Sequence, residues 1–386
     1  MTDSTPGTVV VVGGGVVGCV VAHALSGECE VTVLERDAIA GGATGHASGL
    51  VSPVYDHGEH LAAARYATEF FRDFEGVTFH ERDGVFLVGP EEREHGREAA
   101  RRASEAGFEA TYLPPADLHE RYPGTFGTDR FAGAAVFGDA GWVDPHSLTL
   151  ALADAAVEAG AGVETGVEVT GLTREGRDGP VTGVETTEGR VEAGTVVVAA
   201  GWRTREFLSG LVEIPTRPFR YQTMTIETES DLGEGFPVAW EHDARLYWRA
   251  TPRGNLHVGG QPYFVGDPGA VRERATETFR RTVATRLPEY LPSLGEPKVL
   301  TEGTCPTGDA ATPDGVPIVD APAEGPDGLV VATGMHGFGI MLAPVAGVAA
   351  RARVTGDDPP FPSAPYALDR FADRSTDFGS SYIQEQ

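Results

Sequence analysis

The feature that most constrains the fold is a glycine-rich turn near the N-terminus. Gly13, Gly15 and Gly18 follow a run of β-branched residues and open a segment of helical composition that begins with Val16 and Val17. In a strand–turn–helix unit, the first glycine permits the tight turn, the second lets the backbone approach a pyrophosphate, and the third lets the helix pack closely on the strand. The positive end of the helix then faces the phosphates. The segment therefore predicts a site for a dinucleotide.

An acidic residue completes this β-α-β unit. Glu35 ends the next strand-like segment, seventeen positions after Gly18, and Arg36 follows it. A carboxylate at this place accepts hydrogen bonds from the hydroxyls of an adenosine ribose. The pattern favours a ribose without a phosphate, as in FAD or NAD.

The buried strands of the nucleotide domain lie far apart in the chain. Continuous apolar runs of this length are typical of parallel strands that are buried on both faces. The runs are residues 8–12, 195–200 and 329–333. We therefore predict an α/β fold whose first domain is Rossmann-like, with a doubly wound parallel sheet, and is assembled from discontinuous pieces.

The segments between these strands predict a second domain. They are rich in β-forming residues and suggest an α+β substrate domain built on a mixed antiparallel sheet, with residues 256–259 as an edge strand. The predicted nucleotide domain comprises residues 1–78, 143–214 and 302–386. The predicted substrate domain comprises residues 79–142 and 215–301.

Three further segments resemble the flavoprotein superfamily that includes D-amino acid oxidase, sarcosine oxidase and glycine oxidase. The first reads GGATGHASGL and ends at Leu50, the second reads VVVAAGW and ends at Trp202, and the third combines TPDGVP with a later ATGMHGFGI that ends at Ile340. The motifs are nearest to the sarcosine and dimethylglycine dehydrogenase branch. The resemblance implies an FAD enzyme that oxidises the C–N bond of a small amine or amino acid, of the glycine, sarcosine, D-amino acid or proline type, by hydride transfer to flavin N5.

The resemblance also implies which residues contact FAD beyond the N-terminal turn. They are Thr44, Gly45, His46, Ala47, Ser48, Gly49, Leu50, Val167, Ala200, Gly201, Trp202, Gly334, Gly337, Phe338, Gly339, Ile340 and Met341. The glycines at 334, 337 and 339 let backbone N–H groups approach a planar ring. Donors there stabilise the negative charge that hydride transfer places on the ring.

Two residues raise the question of a covalent bond to the cofactor. The segment from His46 to Leu50 closely matches a run whose histidine carries the flavin in the dimethylglycine dehydrogenase branch. Cys305 lies near the position of the flavin-linking cysteine of monomeric sarcosine oxidases, although its neighbours match poorly. Non-covalent FAD beside a hydrogen-bonded histidine and a small buried thiol is the alternative, and the one we favour.

A later segment resembles the substrate site of the same relatives. Tyr247 and Arg249 form its Tyr-x-Arg pattern, and a Gly-Gly pair follows. Arg249 could hold a substrate carboxylate through two parallel hydrogen bonds, and Tyr247 could bind the same group. His336 is a candidate for polar contact or proton handling beside the flavin. A surface salt bridge for Arg249, packing for Tyr247 and a structural role for His336 are the alternatives.

The sequence departs from glycine oxidases in one respect. Those enzymes have one arginine near the position of Cys305 and another near Gly337, and both serve the substrate carboxylate. This chain has neither. Either Arg249 or Arg220 supplies that charge, or the substrate is not an α-amino acid.

Charge and composition exclude several classes of function. The chain has 57 acidic and 30 basic residues, a net charge of −27, and Lys298 is its only lysine. Without a basic stripe, nucleic acid is not expected as a partner. The acidic excess resembles proteins of salt-loving organisms, although an ordinary acidic protein from a GC-rich genome has a similar composition. The three cysteines show no disulfide or metal-binding spacing, so we predict no metal.

The N-terminus has neither a basic leader nor a long apolar run, which predicts a cytoplasmic protein without a transmembrane segment. The electron acceptor would be O2 or an electron carrier. Two other functions stay open at this point. One is an FAD-dependent 2-hydroxy acid dehydrogenase on the same fold, and the other is a flavin-binding subunit of a larger electron-transfer complex.

Overall fold

The fold was determined from a computed structural model that describes residues 7–53, 60–127, 130–229, 232–266, 274–295, 298–304 and 308–385. The helices are α1 (Val16–Leu25), α2 (Leu61–Asp73), α3 (Arg93–Glu105), α4 (Pro115–Arg121), α5 (Pro145–Glu158), α6 (Thr204–Phe207), α7 (Glu277–Tyr290) and α8 (Gly339–Thr355). The strands are β1 (Thr8–Val12), β2 (Glu30–Glu35), β3 (Leu50–Val51), β4 (His80–Glu81), β5 (Gly84–Val88), β6 (Ala110–Leu113), β7 (Gly133–Phe137), β8 (Gly141–Trp142), β9 (Gly162–Thr165), β10 (Val169–Arg174), β11 (Val181–Thr186), β12 (Gly189–Glu192), β13 (Thr195–Val198), β14 (Arg217–Glu227), β15 (Val238–Glu241), β16 (Leu246–Ala250), β17 (Leu256–Phe264), β18 (Lys298–Thr304), β19 (Asp309–Ala311), β20 (Ile318–Asp320) and β21 (Leu329–Thr333).

A six-stranded sheet joins the three distant apolar runs. Its order is β20-β21-β13-β1-β2-β9. Every pair is parallel except β20 with β21, which is antiparallel. This arrangement confirms the Rossmann-like α/β fold and the prediction that β1, β13 and β21 pair although they are far apart in sequence.

Both faces of this sheet are covered, which explains why its strands are apolar throughout. Val9 and Val11 pack into a cluster with residues of α1 and α8. Val10 and Val12 point the other way and pack with residues of β11, which belongs to the antiparallel sheet β10-β11-β12. The alternation follows from the two-residue period of a strand. Helices therefore cover one face, and a small sheet covers the other.

The second large sheet is mixed, as predicted. Its order is β18-β14-β17-β16-β15-β5-β7-β6, and β19 also pairs with β14. Only β15 and β5 are parallel. Helix α7 begins at a side-chain cap, where Thr276 Oγ1 accepts a hydrogen bond from Phe279 N at 3.2 Å, and it packs Phe279 and Val283 on this sheet. The domain boundaries at residues 78, 142, 214 and 301 remain predictions.

The prediction of an edge strand at residues 256–259 is wrong. Strand β17 lies inside the sheet, between β14 and β16. Gly259 and Gly260 allow close packing inside the sheet. A Cβ on Gly259 would lie 2.3 Å from the Tyr247 hydroxyl, and Gly260 has a φ of +146°.

The carboxyl ends of β1, β13 and β21 lie at one edge of the six-stranded sheet. Within three residues after the end of each strand lies a glycine with positive φ. These glycines are Gly13, Gly201 and Gly334. These turns are joined to one another, because Thr333 Oγ1 donates to the carbonyl oxygen of Gly201 at 2.9 Å. Ligands of open α/β sheets bind at this edge. Among the described residues, no helix is both long enough and apolar enough to cross a membrane.

Candidate functional site

A cavity of about 690 Å³ lies at this edge of the sheet. Its volume is within the range of small-molecule and cofactor sites. The sequence-predicted residues that line it are Gly13, Gly15, Val16, Val17, Glu35, Arg36, Thr44, Ala47, Val167, Ala200, Gly201, Trp202, Gly334, Gly337, Gly339 and Ile340. The predicted residues outside its lining are Gly18, Gly45, His46, Ser48, Gly49, Leu50, Phe338, Met341, Tyr247, Arg249 and His336. The structure therefore brings the predicted FAD-binding segments together at the cavity, whereas the predicted substrate residues Tyr247, Arg249 and His336 do not line it.

The glycines of the N-terminal turn have two different roles. A Cβ on Gly13 would lie 2.6 Å from the Ala199 carbonyl oxygen, and one on Gly18 would lie 1.8 Å from the carbonyl oxygen of Gly13. A Cβ on Gly15 would meet only Thr44 Oγ1, at 3.3 Å. Gly13 and Gly18 thus serve close packing, whereas Gly15 keeps the cavity wall open to a ligand.

Two side chains fix the loop that faces the start of α1. Glu35 accepts hydrogen bonds from the backbone N–H groups of Gly14 (2.7 Å) and Asp37 (2.8 Å), one on each carboxylate oxygen. Thr44 Oγ1 accepts a hydrogen bond from Val16 N at 3.1 Å and can still donate its own proton. An ionised carboxylate has about four acceptor positions, so Glu35 can also accept from ligand hydroxyls.

Charged side chains line the cavity near the ends of β2 and β9. Sequence reasoning missed Asp37, Glu168, Arg203 and Glu206 among them. Arg203 lies over the ring of Trp202, with 4.1 Å between the guanidinium carbon and the ring centroid. Burial, and then the charge of Arg36, lower the pKa of Arg203. The only signal for Arg203 and Glu206 was their position directly after the predicted VVVAAGW turn.

Arg249 is buried rather than on the surface, so the alternative that it forms a surface salt bridge is wrong. Its side chain is 8% exposed, and its Nε donates to the Ser48 carbonyl oxygen at 2.6 Å. The guanidinium carbon lies 4.3 Å from the centroid of a Trp142 ring. Burial lowers the pKa of Arg249 to about 10. No carboxylate of the described residues forms an ion pair with it. Arg249 does not line the cavity, but its hydrogen-bond partner Ser48 follows Ala47, which does.

A hydrogen-bonded group surrounds the Ser48 hydroxyl. Ser48 Oγ donates to Tyr247 Oη at 3.0 Å and lies 2.8 Å from His257 Nε2. Burial, and then the charge of Arg249, lower the pKa of His257 to about 3, so its ring is neutral. Sequence reasoning missed His257, although it lies between the Tyr-x-Arg pattern and the Gly-Gly pair.

Sequence reasoning also missed Asp309, which lines the cavity together with Gly334 and Gly337. Its Oδ2 accepts from Gly337 N and its Oδ1 from Ala310 N, both at 2.7 Å. Burial raises the pKa of Asp309 to about 6, while the two N–H groups act in the opposite direction. The Gly337 N–H, which we expected to face the cofactor ring, is therefore bonded to a carboxylate.

Two further predicted residues lie beside the cavity. His336 is buried in the same turn, with a φ of +54°, and its backbone N–H donates to the carbonyl oxygen of Ala310 at 3.0 Å. His46 ends a short 3-10 helix, and its side chain is exposed. Cys305 lies outside the described residues.

Comparison with known proteins agrees with this geometry. A family model described as FAD dependent oxidoreductase matches residues 8–353. The chain belongs to that family. Its cofactor is FAD, and the cavity fits this cofactor through the open wall at Gly15, the Glu35 carboxylate at the end of β2 and the glycine turns of three strands.

Several members of the FAD dependent oxidoreductase family are similar in sequence. Rat dimethylglycine dehydrogenase is 31% identical over 64% of this chain, and the chain spans 30% of that protein's length. 4-Methylaminobutanoate oxidase from Paenarthrobacter nicotinovorans is 28% identical over 94% of this chain and 45% of its own length. Glycine oxidase from Pseudomonas aeruginosa is 26% identical over 93% of this chain and 98% of its own length.

Solved structures show the same fold. L-proline dehydrogenase from P. horikoshii superimposes with a TM-score of 0.85 at 25% identity, covering 95% of this chain and 98% of that one. Glycine oxidase from Geobacillus kaustophilus gives a TM-score of 0.80 at 22% identity, covering 95% of this chain and 100% of that one. The similarity to this glycine oxidase structure shows a shared fold and nothing more.

Proposed function

We propose that this chain oxidises the C–N bond of a small amine or amino acid, of the glycine, sarcosine, D-amino acid or proline type. The observation that carries the proposal is Arg249, a buried guanidinium without a carboxylate partner among the described residues. A buried charge of this kind is costly unless it is paired, and a substrate carboxylate would pair it. The relatives named dimethylglycine dehydrogenase, 4-methylaminobutanoate oxidase and glycine oxidase support the same reaction class.

The cavity-lining residues would hold FAD in two parts. Gly15, Val16 and Thr44 would bind the pyrophosphate at the positive end of α1, and Glu35 would bind the ribose. The turns at Gly201 and Gly334 would hold the ring system. When bound, FAD accepts the hydride that leaves the substrate carbon.

The chain's own side chains would bind and orient the substrate. Arg249 would hold a carboxylate through two parallel hydrogen bonds, and Tyr247 would contact the same group. Strand β16 carries both residues inside the large sheet, and Ser48 links both to the cavity loop. Such fixed positioning accounts for much of the catalysis when the reacting atoms must be aligned. We also propose that the electrons pass from the flavin to O2 or to an electron carrier, and that the protein is cytoplasmic.

The test is anaerobic mixing of the FAD-loaded protein in concentrated salt with sarcosine, dimethylglycine, proline, glycine and lactate. We expect one or more of the nitrogen compounds to bleach the flavin absorbance. Bleaching by lactate alone would contradict the proposal and favour a 2-hydroxy acid dehydrogenase. A yellow protein that no compound and no dye affects would favour a flavin-binding subunit of a larger complex.

A further inference from the structure

A buried carboxylate lies where the two large sheets meet. Asp309 is the first residue of β19, which pairs with β14 through Phe219 and Asp309. Asp309 and its neighbour Gly308 also line the cavity of the six-stranded sheet, beside the turn at Gly337. The residue is thus held by the substrate-side sheet and faces the cofactor cavity.

The hydrogen bonds of Asp309 fix its orientation without using all its acceptors. Gly337 N and Ala310 N each donate to one carboxylate oxygen, both at 2.7 Å. Two oxygens offer about four acceptor positions, so two remain for a ligand. Neither bond involves a cation, and no basic side chain of the described residues forms an ion pair with Asp309.

The charges that line the rest of the cavity do not neutralise this carboxylate. They belong to β2, to the loop after β9 and to α6, and they are Glu35, Arg36, Asp37, Glu168, Arg203 and Glu206. None of them shifts the pKa of Asp309, which burial alone raises. Two titratable side chains adjoin Gly337, the residue that donates to Asp309: His336 precedes it in the chain, and the Tyr221 ring packs against it.

An aromatic cluster packs behind the turn that donates to Asp309. A Cβ on Gly337 would lie 2.3 Å from Tyr221 Cε2, so this ring stands directly behind the turn. The Tyr221 ring centroid is 5.5 Å from that of Phe219 and 6.0 Å from that of Tyr247. The rings support the turn without lining the cavity, so the group that faces a ligand there is the Asp309 carboxylate, which binds an ammonium ion through charge-assisted hydrogen bonds.

We propose that Asp309 binds the substrate nitrogen as an ammonium cation and then removes its N–H proton. This inference rests on the proposed function, because only oxidation at a C–N bond needs a neutral amine. In the step, the ammonium N–H bond breaks and its electron pair stays on nitrogen. The proton forms an O–H bond with a carboxylate oxygen of Asp309, which becomes neutral. The lone pair thus released is what formation of the C=N bond requires.

The ionisation of the two partners permits this exchange. An alkylammonium ion has a pKa of about 10, like that of lysine. Asp309, with a pKa of about 6, is ionised at neutral pH and yet is a stronger base than an ordinary aspartate. Binding and proton removal therefore use the same group.

The binding test uses the FAD-loaded protein and tert-butylamine, which has no hydrogen on the carbon next to nitrogen and is not oxidised there. Pivalate is the control ligand, because it has the shape of tert-butylamine but carries a carboxylate. Binding is measured by the change in flavin absorbance between pH 5 and pH 9. We expect tert-butylamine to bind more tightly as the pH rises through about 6, and pivalate to lack this rise.

The variants are Asp309→Asn and, as a control, Asp314→Asn. Asp314 lies in the same segment and accepts a hydrogen bond from Val316 N, but it pairs with Arg370 instead of lining the cavity. We expect the Asp309 variant to bind tert-butylamine at least about tenfold more weakly, without the rise near pH 6. The control should behave like the wild type. Equal affinities and pH profiles in all three proteins would overturn the inference.

Two further measurements keep the inference falsifiable if the Asp309→Asn variant does not fold. The first is the Asp309→Glu variant, which should retain affinity for tert-butylamine. The second is the pH dependence of tert-butylamine binding to the wild type. An affinity that does not change between pH 5 and pH 8 contradicts the proposal. The proton-removal step has its own signature. In the Asp309→Asn variant, the rate of flavin bleaching by sarcosine should rise tenfold per pH unit, in proportion to the fraction of neutral amine. In the wild type, this rate should level off above about pH 7.

The outcomes separate this inference from the proposed function. If tert-butylamine binds through Asp309 but no amine bleaches the flavin, the proposed function is wrong and the cation site stands. If amines bleach the flavin equally fast in wild type and Asp309→Asn, the proposed function stands and the role of Asp309 is wrong.

Discussion

The ring of Tyr247 lies so close to Gly259 on the neighbouring strand that no side chain fits between them. A Cβ on Gly259 would be 2.3 Å from the Tyr247 hydroxyl oxygen and 2.4 Å from Cζ. The two residues are paired across β16 and β17. Because Ser48 donates to the same hydroxyl, this glycine positions the tyrosine that joins the large sheet to the cavity loop.

We predict that Gly259→Ala destabilises the protein by about 1–3 kcal/mol, because the buried Tyr247 ring must move. The displacement should also break the hydrogen bond to Ser48. Thermal unfolding in concentrated salt measures the change. Gly171→Ala is the control, since a Cβ there meets nothing within 4 Å. Equal melting temperatures for the two variants would contradict the close packing.

Replacement of Arg249 should affect substrates according to their charge. We predict that Arg249→Lys raises KM about tenfold for a carboxylate-bearing substrate, because lysine cannot form two parallel hydrogen bonds. The effect on kcat should be smaller. Comparing sarcosine with dimethylamine, or dimethylglycine with trimethylamine, isolates the carboxylate.

The control for this prediction is Arg253→Lys, which changes an exposed arginine four positions away. It should leave KM unchanged for all four compounds. An equal rise in KM for the amines without a carboxylate would show that Arg249 acts on the shape of the site rather than on the carboxylate.

We predict that FAD is released when the protein is denatured. The His46 side chain is exposed and does not line the cavity, although the adjacent residue Ala47 does. Acid precipitation should therefore leave the yellow colour in the supernatant, in wild type and in His46→Ala alike. Colour that stays with the precipitate, and is lost in His46→Ala, would instead establish a covalent bond through this histidine.

The buried carboxylate at Asp309 should make stability depend on pH. Its pKa is raised from 3.8 to about 6, so the folded protein binds this proton more tightly than the unfolded chain. The resulting stabilisation is complete below pH 3.8 and is lost as the pH rises through about 6. It amounts to at most about 3 kcal/mol.

Thermal unfolding of the wild type and Asp309→Asn between pH 4 and pH 8 tests this prediction. The wild type should lose stability relative to the variant as the pH rises, with the change centred between pH 4 and pH 6. A constant difference in melting temperature across this range would show that Asp309 has an ordinary pKa in the folded protein.

Local patterns predicted the nucleotide site well. Gly13, Gly15 and Gly18 lie within six residues, and their spacing alone specifies a strand, a turn and a helix. The apolar runs of β1, β13 and β21 likewise indicated strands buried on both faces. Patterns of this kind are readable because they reflect the backbone geometry and burial of neighbouring residues.

The same reasoning failed where a residue's role depends on a distant neighbour. We predicted an edge strand at residues 256–259, but β17 lies inside the sheet between β14 and β16. The Tyr247 ring could not be placed against Gly259 before the register of β16 and β17 was known. Asp309 was missed for a related reason, since nothing in its flanking residues distinguishes a buried acid from an exposed one.

The sequence by itself determined the dinucleotide turn, the apolar strands and the net charge of −27, because each depends on residue types that are contiguous or simply counted. Only the tertiary structure decided that Arg249 bonds to Ser48, 201 positions away, and that Asp309 bonds to Gly337, 28 positions away. The first contact joins the second large sheet to the loop before β3, and the second joins it to the turn after β21. A side chain's burial and partners at such a junction follow from how the sheets pack, which no local pattern encodes.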